Sequence, residues 1–222
     1  GVPAGIVSGL FHMLNNALYK CCLFLSAGAV EKRTGTTELE DLGGLAKAMP
    51  VTFFACIVSA LAISGVPPFN GFVSKWLIYQ GTIEIGRPVF LLAAMFGSAL
   101  TLASFIKVVH SVFLGKKPEK LGTVKSAGLA MGLPMIILAV LCILLGVFAQ
   151  IPLRYVFGPA AGITFGGAPG AIDMSRAIWS PTLATILIIA ALIIGLIIYL
   201  LGTAAKVRPT SIFVGGEKFD AE

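Results

Sequence analysis

Ser64-Gly65-Val66-Pro67-Pro68-Phe69-Asn70-Gly71-Phe72-Val73-Ser74-Lys75-Trp76 interrupts a long apolar region with two prolines, two glycines, an asparagine and a lysine. The run from Met49 to Ile85 is too long for one straight membrane helix, and this stretch breaks it near its centre. Pro67 and Pro68 remove two backbone donors and their rings clash with the preceding turn, so a helix cannot run through them. In lipid the freed carbonyls and amides must find protein or water, because hydrocarbon offers no partner. A break flanked by Asn70, Ser74 and Lys75 therefore implies a water-containing cavity within the bilayer. Broken membrane helices of this kind point to ion sites in transporters.

Composition supports a membrane setting. Hydrophobic residues make up 57% of the 222 residues, charged residues 12%, and the mean hydropathy is +0.97, which excludes an ordinary soluble domain. Apolar runs near the ~20 residues that a bilayer demands fall at 5–30, 88–114, 127–151 and 181–205, beside the broken run at 49–85. The four cysteines, Cys21, Cys22, Cys56 and Cys142, sit in these runs at no metal-ligand spacing and read as buried thiols. The net charge of +6 reads as loop anchoring at a membrane surface, with no aromatic-basic pattern for nucleic acid.

The first apolar run is unusually polar in its first half. Ser8, His12, Asn16 and Lys20 recur every four residues and are expected to line one helix face, with Asn15 and Tyr19 beside them. A seam for helix packing accounts for Ser8 and Asn15. It accounts poorly for Lys20, ten residues from the charged end at Val30, because a charge near mid-bilayer costs at least ~2.5–3.5 kcal/mol. Lys20 and His12 are therefore candidate proton carriers. Lys107 and His110, near the end of the 88–114 run, have two readings: snorkelling to the interface, or a place on a proton path. A basic loop (Lys116, Lys117, Lys120, Lys125) follows, and a Gly/Pro-rich loop is expected at 151–180.

Charge asymmetry addresses topology. If 49–85 crosses once, the Lys and Arg of the loops divide 10 to 3 between the two sides; if it crosses twice they divide 6 to 7. The positive-inside rule favours one broken crossing. The expectation is an all-α integral membrane protein of five transmembrane segments, one discontinuous, with residue 1 outside and the tail in the cytoplasm.

Three ordered motifs carry a family resemblance. His12-Met-Leu-Asn-Asn-Ala-Leu-Tyr-Lys20-Cys-Cys-Leu-Phe-Leu-Ser-Ala-Gly28 resembles the pattern H-x₃-H-x₃-K-x-x-L-F-L-x-x-G of antiporter-like subunits. Leu42-Gly-Gly-Leu45 with Met49-Pro50, and then the stretch Ser64–Lys75, continue it in the same order. Such subunits occur in respiratory complex I, membrane-bound hydrogenases and Mrp-type Na⁺/H⁺ antiporters. The resemblance covers about residues 5–150, corresponds to the second of two inverted repeats, and implies proton or Na⁺/H⁺ translocation as the C-terminal half of such a subunit.

By that resemblance Lys20 matches the central lysine of a hydrophilic axis, Lys75 the lysine on the broken helix, and His12 the first relay histidine. Asn16 stands where the pattern has a second histidine; it can hold a water but cannot titrate. Pro67, Pro68, Asn70 and Gly71 form the break itself. The resemblance implies no redox cofactor, no metal and no active site of its own. The resemblance implies that the first repeat belongs to another chain or to a further part of this protein; no acidic residue lies deep in any span, so a carboxylate opposite the lysines is expected from a neighbouring chain. The expected organisation is a half-channel repeat with its following helix at 1–150, the loop at 151–180, and a further membrane helix with a polar tail at 181–222, in the cell membrane among other membrane subunits. The competing reading is a structural subunit of a membrane arm with no ion path of its own.

Overall fold

The computed structural model describes residues 3–165 and 181–201. Among the described residues every regular element is helical. Helix α1 spans Pro3–Thr34, α2 Pro50–Ser64, α3 Asn70–Glu84, α4 Pro88–Val109, α5 Leu129–Val147, α6 Gln150–Pro152, α7 Gly158–Phe165 and α8 Pro181–Leu201. Pro50 and Pro88 each stand at the start of a helix, where the missing N–H has no intrahelical partner to lose. Helix α8 lies largely in a second compact unit, beginning at Ile186, separate from the unit that holds the other helices.

The break falls where the prolines put it. Helix α2 ends in Gly65, whose φ of 79° is left-handed; its N–H donates to Ala62 O, and the N–H of Val66 donates to Leu61 O. The Pro67–Pro68 bond is cis, and Asn70 then opens α3.

Contacts along α1 show how the two halves run. Cys22 meets Ala55, Asn15 meets Asn70, His12 meets Ser74, and Gly5 faces Gly81. As the number falls along α1 it rises steadily through α2 and α3. The pair is therefore one discontinuous pass antiparallel to α1, and α3 does not double back beside α2. Helix α4 returns along both halves: Tyr79 Oη and Ser98 Oγ are 2.6 Å apart, and the rings of Phe53 and Phe113 are 5.4 Å apart. Helix α5 runs with the broken pass, since Gly132 lies beside Val51 and Gly146 beside Pro68–Asn70.

Helices α4 (continued to Leu114) and α5 are each long and apolar enough to cross a membrane. Helices α2 and α3 have 15 residues each, ~22 Å at 1.5 Å per residue, short of the ~30 Å apolar layer taken singly. Helix α4 leaves Phe90, Leu92, Phe96 and Leu100 more than half exposed, a surface suited to lipid or neighbouring subunits. Its end, His110–Leu114, is a π-helical turn. There the amides of Leu45 and Ala46 take the carbonyls of Val112 and Phe113. Gly43 permits the approach, because a Cβ would run into the Lys116 carbonyl.

The stretch expected to be a loop from residue 151 is instead helical as far as Phe165, through α6, a π-helical turn at Leu153–Phe157, and α7. Two causes make it so. Pro152 and Pro159 stand in first-turn positions of short helical pieces, which tolerate them. Leu153, Phe157 and Ala161 recur at four-residue spacing and form an apolar stripe; Leu153 and Ala161 are buried, and Phe157 stacks edge-on against Phe11 of α1 at 5.6 Å. The remainder of that stretch and the polar tail lie outside the described residues.

Candidate functional site at the helix break

Two backbones meet so closely at the break that side chains are excluded. A Cβ on Gly71 would collide with the Ala62 carbonyl, so the first turn of α3 lies flat on the last turn of α2. On the other side a Cβ on Gly146 of α5 would strike the Pro68 carbonyl and come within 2.7 Å of Asn70 N. The break is thus held between α2 and α5 by two glycines.

A polar clamp fixes it to α1. Asn15 Nδ2 donates to Asn70 O at 3.2 Å, and Asn70 Nδ2 donates to Asn15 Oδ1 at 3.0 Å. Both asparagines are fully buried. Polar groups that would be costly alone in an apolar interior pair here, although Asn70 Oδ1 is left buried without a hydrogen-bond partner among the described residues.

One turn further along α3, Ser74 Oγ lies 2.9 Å from His12 Nδ1, and the Ser74 hydroxyl reaches Gly71 O at 3.2 Å. Lys75, half-buried, turns its stem back over Gly65. Its Cδ lies 2.9 Å and its Nζ 3.7 Å from the point where a Gly65 Cβ would stand. Gly65 is therefore required by its φ, and a Cβ there would also push the lysine stem aside. The amine rests at the C-terminal end of α2, the negative end of the helix dipole, equivalent to about half an elementary charge. The break itself supplies Lys75 with a partial counter-charge where, among the described residues, no carboxylate is present.

The structure separates the candidates read from the sequence. It gathers His12, Asn70, Gly71 and Lys75 around the break, with Pro67 and Pro68 forming its turn. It does not place Lys20 with them. The expectation that Ser8, His12, Asn16 and Lys20 share one face is corrected: Ser8 is buried, His12 and Asn16 are half-buried, and Lys20 is exposed. At 3.6 residues per turn a four-residue step overshoots by ~40°, so three steps carry Lys20 ~120° around the helix from Ser8. Ser8, Asn15, Tyr19, Cys22 and Ser26 form the buried seam instead.

Lys20 faces an apolar groove of about 320 Å³ between α1 and α4, floored by Cys56 and Ile63 of α2. Lys107 on α4 and His110 in the π-helical turn after it are exposed. Sequence reading passed over Gly146, whose only signal was a glycine near the end of an apolar helix. The helix-packing role expected for Asn15 matches its bonds to Asn70, whereas Ser74, expected only to flank the break, has His12 as its partner.

Residues 3–101 match the family described as NADH:quinone oxidoreductase/Mrp antiporter, transmembrane. Among curated relatives, Na⁺/H⁺ antiporter subunit A1 of Staphylococcus haemolyticus is 37% identical over 169 residues, 71% of this chain and 21% of that protein. Formate hydrogenlyase subunit 3 of Escherichia coli is 35% identical over 159 residues, 67% of this chain and 26% of that protein. Among solved structures, a chain of the membrane-bound sulfane sulfur reductase, an archaeal respiratory membrane complex, aligns over 97% of this chain and 36% of its own, with a TM-score of 0.72 and 33% identity. The chain thus spans between a fifth and two fifths of each of these proteins. On the matched motifs and the shared helical architecture, the chain belongs to the antiporter-like membrane subunits of the NADH:quinone oxidoreductase/Mrp antiporter family.

Proposed function

We propose that this chain forms part of an ion-translocating module in a membrane complex, moving protons, or protons against Na⁺, through the second of two antiporter-like repeats. The observation that carries the reading is Lys75 at the C-terminal end of α2, one residue from the Ser74–His12 hydrogen bond. A lysine held by a helix end can give up its proton without leaving a buried carboxylate unpaired, and His12, bonded to the adjacent Ser74, is the group proposed to receive it. His12, Lys75 and the polar groups of the break act together as the local proton path, and Asn16 positions water between His12 and Lys20.

In this reading the chain crosses the cell membrane five times, with residue 1 outside, the tail in the cytoplasm and α2–α3 as one broken crossing. The repeat and its following helix occupy residues 1–150, and the segment from 181 adds a membrane helix and tail. Lys20 lies ten residues, ~15 Å, from the charged end of α1 at Val30, too far to snorkel to water. Intramembrane charges face protein or water rather than lipid. The exposed face of α1 around Lys20 is therefore covered by a neighbouring segment carrying a carboxylate, consistent with a first repeat supplied from outside these residues.

The test is Lys75→Ala in the assembled complex, with ion transport followed in sealed vesicles. Transport is expected to be abolished or strongly reduced while assembly persists. Parental transport by this variant removes Lys75 from the mechanism and leaves the chain a structural subunit.

A further inference from the structure

We propose that Ser74 is a positioning residue that holds His12 in a single ring tautomer, with the proton on Nδ1 and Nε2 bare. The proposal rests on the proton path above but concerns a residue to which that reading gives no proton of its own. A serine hydroxyl has one hydrogen and two acceptor lone pairs. In this structure the hydroxyl donates to Gly71 O at 3.2 Å while its oxygen lies 2.9 Å from His12 Nδ1. With that hydrogen on Gly71, only lone pairs face the ring and Nδ1–H is the donor, the arrangement in which both contacts of Ser74 are hydrogen bonds at once.

The Gly71 carbonyl is a fixed acceptor for that hydroxyl. Gly71 lies flat against the Ala62 carbonyl, and its neighbour Asn70 is tied twice to Asn15. Ser74 is itself fully buried, so water does not compete for its oxygen. The tautomer of a histidine is set by the hydrogen bond its other nitrogen makes. Here that bond leaves Nε2 as the basic atom of a half-buried ring.

The consequence is mechanical. A proton arriving at Nε2 turns the neutral ring into imidazolium, and the same proton leaves from Nε2, with Nδ1–H···Oγ intact in both states. The ring neither flips nor loses its anchor between turnovers. Without the serine oxygen, Nδ1 has no fixed acceptor and the ring is free to adopt the Nε2–H form, which presents no base at the exchanging atom.

The chain contains two histidines, His12 and His110, so a ¹⁵N-histidine-labelled chain assembled with unlabelled partners in lipid bilayers shows two rings. His110→Gln identifies which signals belong to His12. Above the titration of His12, the parental chain should show protonated Nδ1 and bare Nε2. Ser74→Ala should shift the ring to predominantly Nε2–H, and Ser74→Thr, which keeps the hydroxyl, should restore Nδ1–H. Transport should fall severalfold in Ser74→Ala and recover in Ser74→Thr. An Nε2–H ring in the parental chain, or an Nδ1–H ring retained in Ser74→Ala, overturns the proposal. These spectra do not depend on pumping, so failure of the Lys75→Ala test leaves the Ser74 result readable by itself.

Discussion

Gly146→Ala tests whether helix α5 sets the geometry of the break. The added Cβ would collide with the Pro68 carbonyl and stand 2.7 Å from Asn70 N, whereas ordinary contact begins at 3.4 Å. Phe69 C, at 2.5 Å, alone requires the two backbones to part by 0.9 Å, and the Pro68 carbonyl requires more. The break is poorly placed to yield, because Asn70 is bonded twice to Asn15 and Gly71 lies on the Ala62 carbonyl. Two effects oppose each other. Alanine is favoured over glycine in a helix by up to ~1 kcal/mol, and overpacking against a fixed neighbour costs ~1–3 kcal/mol or more. The clash is with main chain, so the second effect should win by ~1–2 kcal/mol. That corresponds to ~2–8 °C of melting temperature for a unit of this size. The measurement is thermal unfolding of the purified complex, with transport in sealed vesicles from the same preparation. Gly97→Ala on α4 is the control: its Cβ meets nothing within 4 Å, so it should keep the helix-propensity gain without the clash. A Gly146→Ala complex that melts and transports like the Gly97→Ala complex would refute the reasoning.

Asn15→Leu or Asn70→Leu alone should destabilise by ~1–3 kcal/mol, because the first strands Asn70 Nδ2 and the second strands Asn15 Oδ1. The double variant should cost clearly less than the two together, which a cycle of melting curves will show or deny. Gly65→Ala and Gly35→Ala share the strain of a left-handed residue, φ 79° and 77°, about 1–2 kcal/mol each. Only the first would press on Lys75, so transport should fall in Gly65→Ala alone; equal transport in the two variants means the lysine's seat on α2 is irrelevant. Asn16→His should be tolerated and Asn16→Leu should lower transport, since leucine offers no hydrogen bond to water; an Asn16→Leu complex pumping at the parental rate removes Asn16 from the water path.

Much of this protein follows from its sequence, because the governing physics is local. Two adjacent prolines end a helix whatever surrounds them, and Pro67–Pro68 do so between Ser64 and Asn70. Apolar runs long enough for a bilayer, and a lysine and a histidine within them, are equally visible in one dimension. The motifs around His12, Lys20 and Lys75 reached the family for the same reason. The segment 151–165 was misread because its glycines and prolines outweighed an apolar stripe that gains meaning only against Phe11. What the tertiary structure decided is azimuth and pairing. A drift of ~40° per four-residue step separates His12, turned to Ser74, from Lys20, turned to the groove beside α4. The reciprocal bonds of Asn15 with Asn70, and the contact of Gly146 with the break, join residues 55 and 76 positions apart. Neither has a signature along the chain. A helix carries its periodicity in its own sequence, but the partner on each face is chosen by how separate helices pack.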